Sequence, residues 1–179
     1  LLAKNILNYT ENKAADSGDR IVNRFQLGAA YRDVETNRFD ALSKIEYRYE
    51  NNETTLSNPY ERNVYILSTH MNYHPVNDIH LSGQYAMKYL DETYDFIQTS
   101  GMTQMLNTRF MYDINERWDT SVNTGVMWNN VSDGVRYLAG VEVGYLLATN
   151  LWMSGGYNFI GYHDKDLTDG DTTMDGAYF

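Results

Sequence analysis

Histidine beside an acid is the pairing in this sequence that comes closest to a catalytic group. Asp78 and His80 are two residues apart, so a β-strand would place both side chains on one face, as a proton-transferring pair requires. This pair falls at a predicted short turn. His163 and Asp164 lie in a predicted loop that offers no suitable serine nucleophile. We therefore predict no catalytic residues, no cofactor and no enzymatic activity.

An acidic segment with interspersed glycines follows His163. Carboxylate oxygens are the hard ligands that calcium prefers, and several aspartates there could supply them. The candidate ligands are Asp164, Asp166, Asp169 and Asp171. Their spacing departs from the EF-hand pattern of alternating ligands and a terminal glutamate. We favour a solvated acidic loop and predict no metal site.

Composition narrows the class of protein. The formal net charge of -10 at pH 7 argues against a nucleic-acid partner, whose phosphates need a basic surface. The mean hydropathy is -0.55, and no run of about 18 apolar residues is present, which excludes a transmembrane helix. A transmembrane β-barrel remains compatible, because only one residue in two faces lipid in such a fold.

Residues 135–147 show most clearly the alternation that predicts the fold. One face would carry Tyr137, Ala139, Val141, Val143, Tyr145 and Leu147, and the other Arg136, Gly140, Glu142 and Gly144. A period of two is that of a β-strand. Similar stretches predict strands at 2–10, 21–32, 39–49, 62–73, 79–89, 103–112, 118–128, 135–147 and 151–162, with a tenth opening at residue 176. The sixth strand fits least well, because Met105 and Met111 lie opposite Leu106 and Phe110.

The connections between these strands alternate in length. Short turns rich in Asn, Asp or Pro are predicted at 33–38, 74–78, 113–117 and 148–150. The intervening connections are longer and more acidic, at 11–19, 50–61, 90–102 and 163–175, with 129–134 the short exception. Outer-membrane barrels place short turns on the periplasmic side and long loops outside. The sequence therefore predicts an all-β, antiparallel, up-and-down transmembrane β-barrel with about ten strands visible.

The two faces of the predicted strands differ in chemistry. The set expected to face lipid or the interface is Phe25, Leu27, Tyr31, Tyr47, Tyr85, Trp118, Trp128, Tyr137, Val141, Tyr145, Tyr157 and Phe159. The polar set expected to face the lumen is Arg24, Arg32, Lys44, Glu46, Arg48, His80, Gln84, Lys88, Arg109, Asp119, Arg136 and Glu142. Charges of both signs could pair across a narrow lumen. The alternative is that they form the solvated face of an ordinary antiparallel sheet.

A soluble ligand-binding β-barrel or sandwich would also alternate, with the aromatic face buried and the charged face in water. Three features favour the membrane interpretation. The strands exceed the usual five or six residues, the loop lengths alternate, and aromatic residues collect near strand ends. The sixteen Tyr, six Phe and three Trp suit a membrane–water interface.

Four stretches, Tyr112–Trp118, Gly140–Trp152, Gly156–Tyr162 and Gly176–Phe179, resemble the C-terminal outer-membrane β-barrel region of large Gram-negative repeat-containing surface proteins. The resemblance covers most of the chain from Val22 onward. It implies a single domain over 1–179 in the bacterial outer membrane that anchors, and helps to export, a large surface-exposed protein. A diffusion pore or transport channel is the alternative.

The resemblance also implies partners: outer-membrane lipid and lipopolysaccharide, the barrel-assembly machinery and covalently attached surface modules. In the family the last strand continues well beyond its Gly-Ala-Tyr-aromatic start. Here it stops after four residues, at Phe179, so the assembly signal at its end is missing. We therefore expect the chain to be a segment of a complete barrel, with further strands or extracellular modules before residue 1.

Overall fold

Ten β-strands form the regular secondary structure of the part of the chain that the computed structural model describes, residues 1–11, 18–53, 59–94, 97–131, 134–168 and 174–178. They are β1 Leu2–Thr10, β2 Arg20–Arg32, β3 Phe39–Asn52, β4 Tyr60–Val76, β5 Ile79–Tyr94, β6 Ile97–Asn115, β7 Trp118–Asn129, β8 Gly134–Ala148, β9 Leu151–Ile160 and β10 Gly176–Tyr178. No helix occurs in these residues.

All ten strands belong to one sheet, in which the order of strands is their order along the chain. Every strand pairs antiparallel with the next, so the chain runs up and down without a crossover. The prediction of an all-β, antiparallel, up-and-down fold is confirmed. It succeeds because the period of two persists in each strand and polar turn residues separate neighbouring strands.

Asparagine and aspartate close the short turns, as predicted. Asn37 and Asn150 have positive φ angles of 53° and 65°, a conformation that asparagine tolerates better than most residues. The Asp33 carboxylate accepts hydrogen bonds from the backbone N–H groups of Glu35 and Thr36 at 3.1 and 3.4 Å. These contacts fix the β2–β3 turn locally.

The predicted long loop at 90–102 is wrong. β5 and β6 stay paired as far as Tyr94 and Ile97, so most of this segment is an extended hairpin. Its acidic residues suggested a solvated loop, but an acid can lie in a ladder where its side chain reaches water. Gln98 on β6 donates to the carboxylate of Asp91 on β5 at 3.0 Å, which ties the two strands together.

The strand register defines two faces of the sheet. We call the face that carries Glu46 the inner face and the face that carries Tyr47 the outer face. Buried apolar side chains lie on the inner face, where a connecting segment covers them. The cluster consists of Val64, Ile66, Ala86, Met105, Met127, Leu138, Tyr162 and Leu167. The core therefore lies between the sheet and its own connection.

Candidate functional site

The segment Gly161–Thr168, which we call the inner segment, lies across the inner face. The predicted ninth strand ran to residue 162, but β9 ends at Ile160 and the chain turns inward. The Tyr162 hydroxyl donates to the side-chain oxygen of Asn107 on β6. Gln84 on β5 donates to the carbonyl oxygen of Leu167 at 3.3 Å. The first residues of the predicted acidic outer loop therefore cover the inner face of the sheet.

Ion pairs hold the middle of the inner segment. The Lys88 ammonium lies 2.6 Å from a carboxylate oxygen of Asp164 and 3.4 Å from one of Asp166. Asp166 also accepts a 2.5 Å hydrogen bond from the Arg48 guanidinium on β3. Burial raises the pKa of Asp166, but the hydrogen bond and charge of Arg48 and the charge of Lys88 outweigh it. The pKa of Asp166 therefore lies below its ordinary value.

Gly125 on β7 provides space for the hydrogen bond between Tyr162 and Asn107. A Cβ atom at this position would lie 2.1 Å from the Asn107 amide oxygen and 2.7 Å from the Tyr162 hydroxyl. Any larger residue would displace these groups. The glycine is therefore required by close approach on the inner face, as expected for small residues that allow inward crowding.

Glu46 is the centre of a second set of charges, beside the inner segment. Its side chain is buried, with only 1% of the residue exposed. Arg24 and Arg48 each donate through Nε to one carboxylate oxygen, and Gln26 donates to the other at 2.6 Å. Lys44 approaches to 3.5 Å. A buried carboxylate is tolerated only when it is paired and hydrogen-bonded in this way.

A third cluster lies further along the inner face. Arg109 on β6 pairs with Glu142 on β8 at 3.1 Å. The Tyr178 hydroxyl on β10 donates to the other oxygen of Glu142 at 3.2 Å and accepts from Asn123 at 3.0 Å. The network crosses four strands. It borders a cleft of about 290 Å³ that is also lined by His70.

The predicted polar residues all fall on the inner face by register. These are Arg24, Arg32, Lys44, Glu46, Arg48, His80, Gln84, Lys88, Arg109, Asp119, Arg136 and Glu142. They belong to different local networks. Arg32 donates to Asn37 at the turn at 2.8 Å, and Asp119 is buried with 2% of its surface exposed.

The apolar cluster of the inner face was not predicted from the sequence. Met105 is completely buried there, in contact with the cluster that includes Tyr162 and Leu167. This contact explains why β6 fits the alternation poorly, since a methionine at an inward position needs an apolar partner. The available signal was the set of apolar residues at inward positions of several strands, such as Ile66 and Leu138.

The outer face carries the predicted aromatic and aliphatic set. Its members are Phe25, Leu27, Tyr31, Tyr47, Tyr85, Trp118, Trp128, Tyr137, Val141, Tyr145, Tyr157 and Phe159. Many of these side chains are exposed: Tyr137 retains 59% and Phe159 63% of its surface. Neighbouring rings contact each other, with centroid separations of 4.9 Å for Tyr47 and Tyr65 and 4.5 Å for Trp118 and Tyr145.

The two candidate catalytic pairs have other partners. His80 Nε2 lies 3.0 Å from a carboxylate oxygen of Asp113, and no hydrogen bond joins it to Asp78 among the described residues. His163 contacts the Thr168 hydroxyl at 3.1 Å, while the Asp164 carboxylate binds Lys88. The absence of enzymatic activity stays a prediction.

The calcium hypothesis keeps only part of its ligand set. Asp164 and Asp166 are paired with Lys88 and Arg48, so their carboxylates are occupied. Asp169 and Asp171 lie outside the described residues. Within the described ranges, no group of three or more His, Asp or Glu residues could hold a metal ion.

No protein-family model matches the sequence, and no curated protein is significantly similar to it. None of the described residues forms a helix with the length and apolar character needed to cross a membrane.

Proposed function

We propose that this chain is an outer-membrane β-barrel domain that anchors, and helps to export, a large surface-exposed protein, with the inner segment filling its lumen. The observation that carries the proposal is an uncharged band on the outer face. On β3, for example, the band contains Phe39, Ala41, Ser43, Ile45 and Tyr47. On the described strands, no Asp, Glu, Lys, Arg or His occupies an outer position within this band, which aromatic residues border on both sides.

On three strands, aromatic residues border this band on both sides at the same spacing. Residues Phe39 and Tyr47, Tyr65 and Tyr73, and Tyr137 and Tyr145 are each eight positions apart on their strand. Eight residues extend about 27 Å along a strand. With a strand tilt near 40°, this gives about 20 Å of height, close to the apolar band of about 25 Å between aromatic girdles.

Both aromatic rows shift along the strands in the same direction. The cross-strand pairs connect Tyr137 on β8 to Thr69 on β4, four residues from Tyr65. They also connect Tyr73 on β4 to Val141, four residues from Tyr145. A level belt on tilted strands must shift its register in this way. The geometry supports two parallel interfaces rather than scattered surface tyrosines.

Charged residues reappear on either side of the band. Glu61 and Asp91 occupy outer positions beyond the aromatic row that lies nearer the long loops. Asp33 and Arg117 occupy the short turns beyond the other aromatic row. An ionised side chain facing hydrocarbon is costly, whereas one at the interface is solvated. This distribution favours a lipid-facing surface over a soluble barrel, which would bury the aromatic face.

The filled inner face favours an anchor over a diffusion pore. Leu167 and Tyr162 are each only 3% exposed, so the inner segment packs against the inner face of the sheet. Barrels with about eight strands are already filled by side chains, whereas porins with an aqueous channel have about sixteen. Closure of the sheet into a barrel, by pairing of its first and last strands, is part of the proposal.

Two experiments test anchoring and filling separately. Deleting the barrel from the complete surface protein should remove the exterior region from the cell surface, either by release into the medium or by retention in the periplasm; unchanged retention on the cell surface would contradict anchoring. In planar bilayers, the folded chain should show no stable open steps. Regular conductance steps would instead support the pore.

A further inference from the structure

A cleft of about 480 Å³ opens on the inner face where β2, β3 and β4 meet the inner segment. Its charged lining consists of Arg24, Arg48, Arg62, Lys165, Glu50 and Asp166. Cations outnumber carboxylates there, although the chain as a whole has a net charge of -10. A cationic site in an acidic protein is a local arrangement that demands its own explanation.

Both carboxylates of the cleft already have cationic partners. Glu50 accepts hydrogen bonds from two nitrogens of Arg20, at 2.6 and 3.1 Å. Asp166 pairs with Arg48 at 2.5 Å and with Lys88 at 3.4 Å. Since their charges are balanced by these contacts, they contribute little repulsion toward an incoming anion.

The cations of the cleft are less well matched. Glu46 shares its one charge between Arg24 and two further cations. The Nε atom of Arg62 is buried without a hydrogen-bond partner. Arg62 lies opposite Glu50 on β3 and Glu92 on β5, but no ion pair joins it to either, and Lys165 makes no ion pair with any described residue. The cleft therefore presents donors that lack an acceptor.

We propose that this cleft binds a soluble oxyanion of the phosphate type, with Arg62 and Lys165 as its principal donors and the free nitrogens of Arg24 completing the site. Arginine and lysine form strong, charge-assisted hydrogen bonds to phosphate oxygens, and a guanidinium can engage two of them at once. The sheet separates the cleft from the outer face, so the ligand is free in solution rather than a lipid headgroup. The choice of a soluble ligand rests on the proposed contact of the outer face with lipid, whereas anion binding itself does not depend on anchoring.

Isothermal titration with inorganic phosphate tests this site on the whole chain, folded in a phosphate-free maltoside detergent. The chain should give saturable heat. Arg62→Gln should weaken binding about tenfold or more, because it removes a charge-assisted donor. Lys165→Gln alters an exposed side chain that supports no folded contact, and it should weaken binding by about threefold or more. Arg136→Gln removes an inner-face arginine outside the cleft and should leave the affinity unchanged.

Absence of saturable heat from the unaltered chain would overturn the proposal. If Arg62→Gln and Lys165→Gln, with the fold checked by circular dichroism, both bind phosphate as tightly as the unaltered chain, the proposal is also overturned. The same holds if Arg136→Gln weakens binding as much as these two variants do. Titration in the presence of lipopolysaccharide micelles separates the two sources of phosphate. Unchanged phosphate binding is expected, and competition that requires Arg62 would contradict the assignment to a soluble ligand.

Discussion

At the scale of single residues, Glu46 is the buried carboxylate of the inner face that depends on hydrogen-bonded cationic partners. One buried carboxylate accepts hydrogen bonds from Arg24, Arg48 and Gln26, on two adjacent strands. The sequence predicts that these residues share a face, but it does not predict which of them pair, because alternation does not set the register of the strands. The register aligns Gln26 with Glu46 and Arg24 with Arg48, which brings the charges together.

Glu46→Gln should therefore destabilise the fold. It leaves Arg24 without a counter-charge and Arg48 with Asp166 alone, but these side chains are 39% and 29% exposed and recover part of their hydration. We expect a loss of about 2 kcal/mol, below the 3–5 kcal/mol typical of breaking a fully buried pair. Urea unfolding in lipid or detergent measures it. Glu61→Gln, at an exposed position, is the matched control and should change stability by less than about 0.5 kcal/mol. Equal stability of the two variants would contradict the role of Glu46.

Asp166 predicts a pH dependence for the inner segment. Its pKa is lowered from an ordinary value of 3.8, so its ion pairs stabilise the folded arrangement above that pH. This stabilisation is lost as the pH falls through the lower folded-state pKa. Backbone hydrogen exchange, corrected for intrinsic rates, should show Leu167 and Thr168 protected at about pH 6 and progressively less protected as the pH falls below 3.8. Asp166→Asn should reduce protection at about pH 6 and remove its dependence on pH. Equal protection of the unaltered chain at high and low pH would contradict the role of these ion pairs.

At the scale of elements, the strands were predictable and the inner segment was not. The strands follow from a local period of two, which residues 135–147 show without any tertiary information. The inner segment looks polar and loop-like because its partners are distant in sequence: Arg48 and Asp166 are separated by 118 positions, and Lys88 and Asp164 by 76. Leu167, an apolar residue within the acidic stretch, was the available signal of burial.

The outer face of β8 offers a test at this scale. Val141→Arg places a charge in the middle of the uncharged band, where lipid contact would make it cost about 2–4 kcal/mol. Thr93→Arg places the same charge on the outer side of β5 beyond the band, and should cost about 1 kcal/mol or less. Unfolding from lipid bilayers compares the two variants. Equal costs would mean that the band does not face hydrocarbon.

At the scale of the whole molecule, the distribution of polarity is reversed relative to a soluble protein. Charged and amide side chains, such as Glu46 and Asp119, are buried, while large apolar side chains such as Phe159 and Tyr137 are exposed. In water, so extensive an apolar surface would drive association. In a bilayer the same arrangement is stable, because hydrocarbon solvates the outer face and the inner networks satisfy the charges.

Spin-label accessibility along β8 tests the central claim most directly, since the chain has no native cysteine to interfere. Single cysteines at Ala139, Val141 and Val143, on the outer face, carry the label in lipid vesicles, with Arg136 and Leu138 as inner-face comparisons. The account predicts high oxygen accessibility and low accessibility to a water-soluble nickel reagent at the three outer positions, and low oxygen accessibility at the inner ones. Outer positions that are open to the nickel reagent but not to oxygen would contradict it.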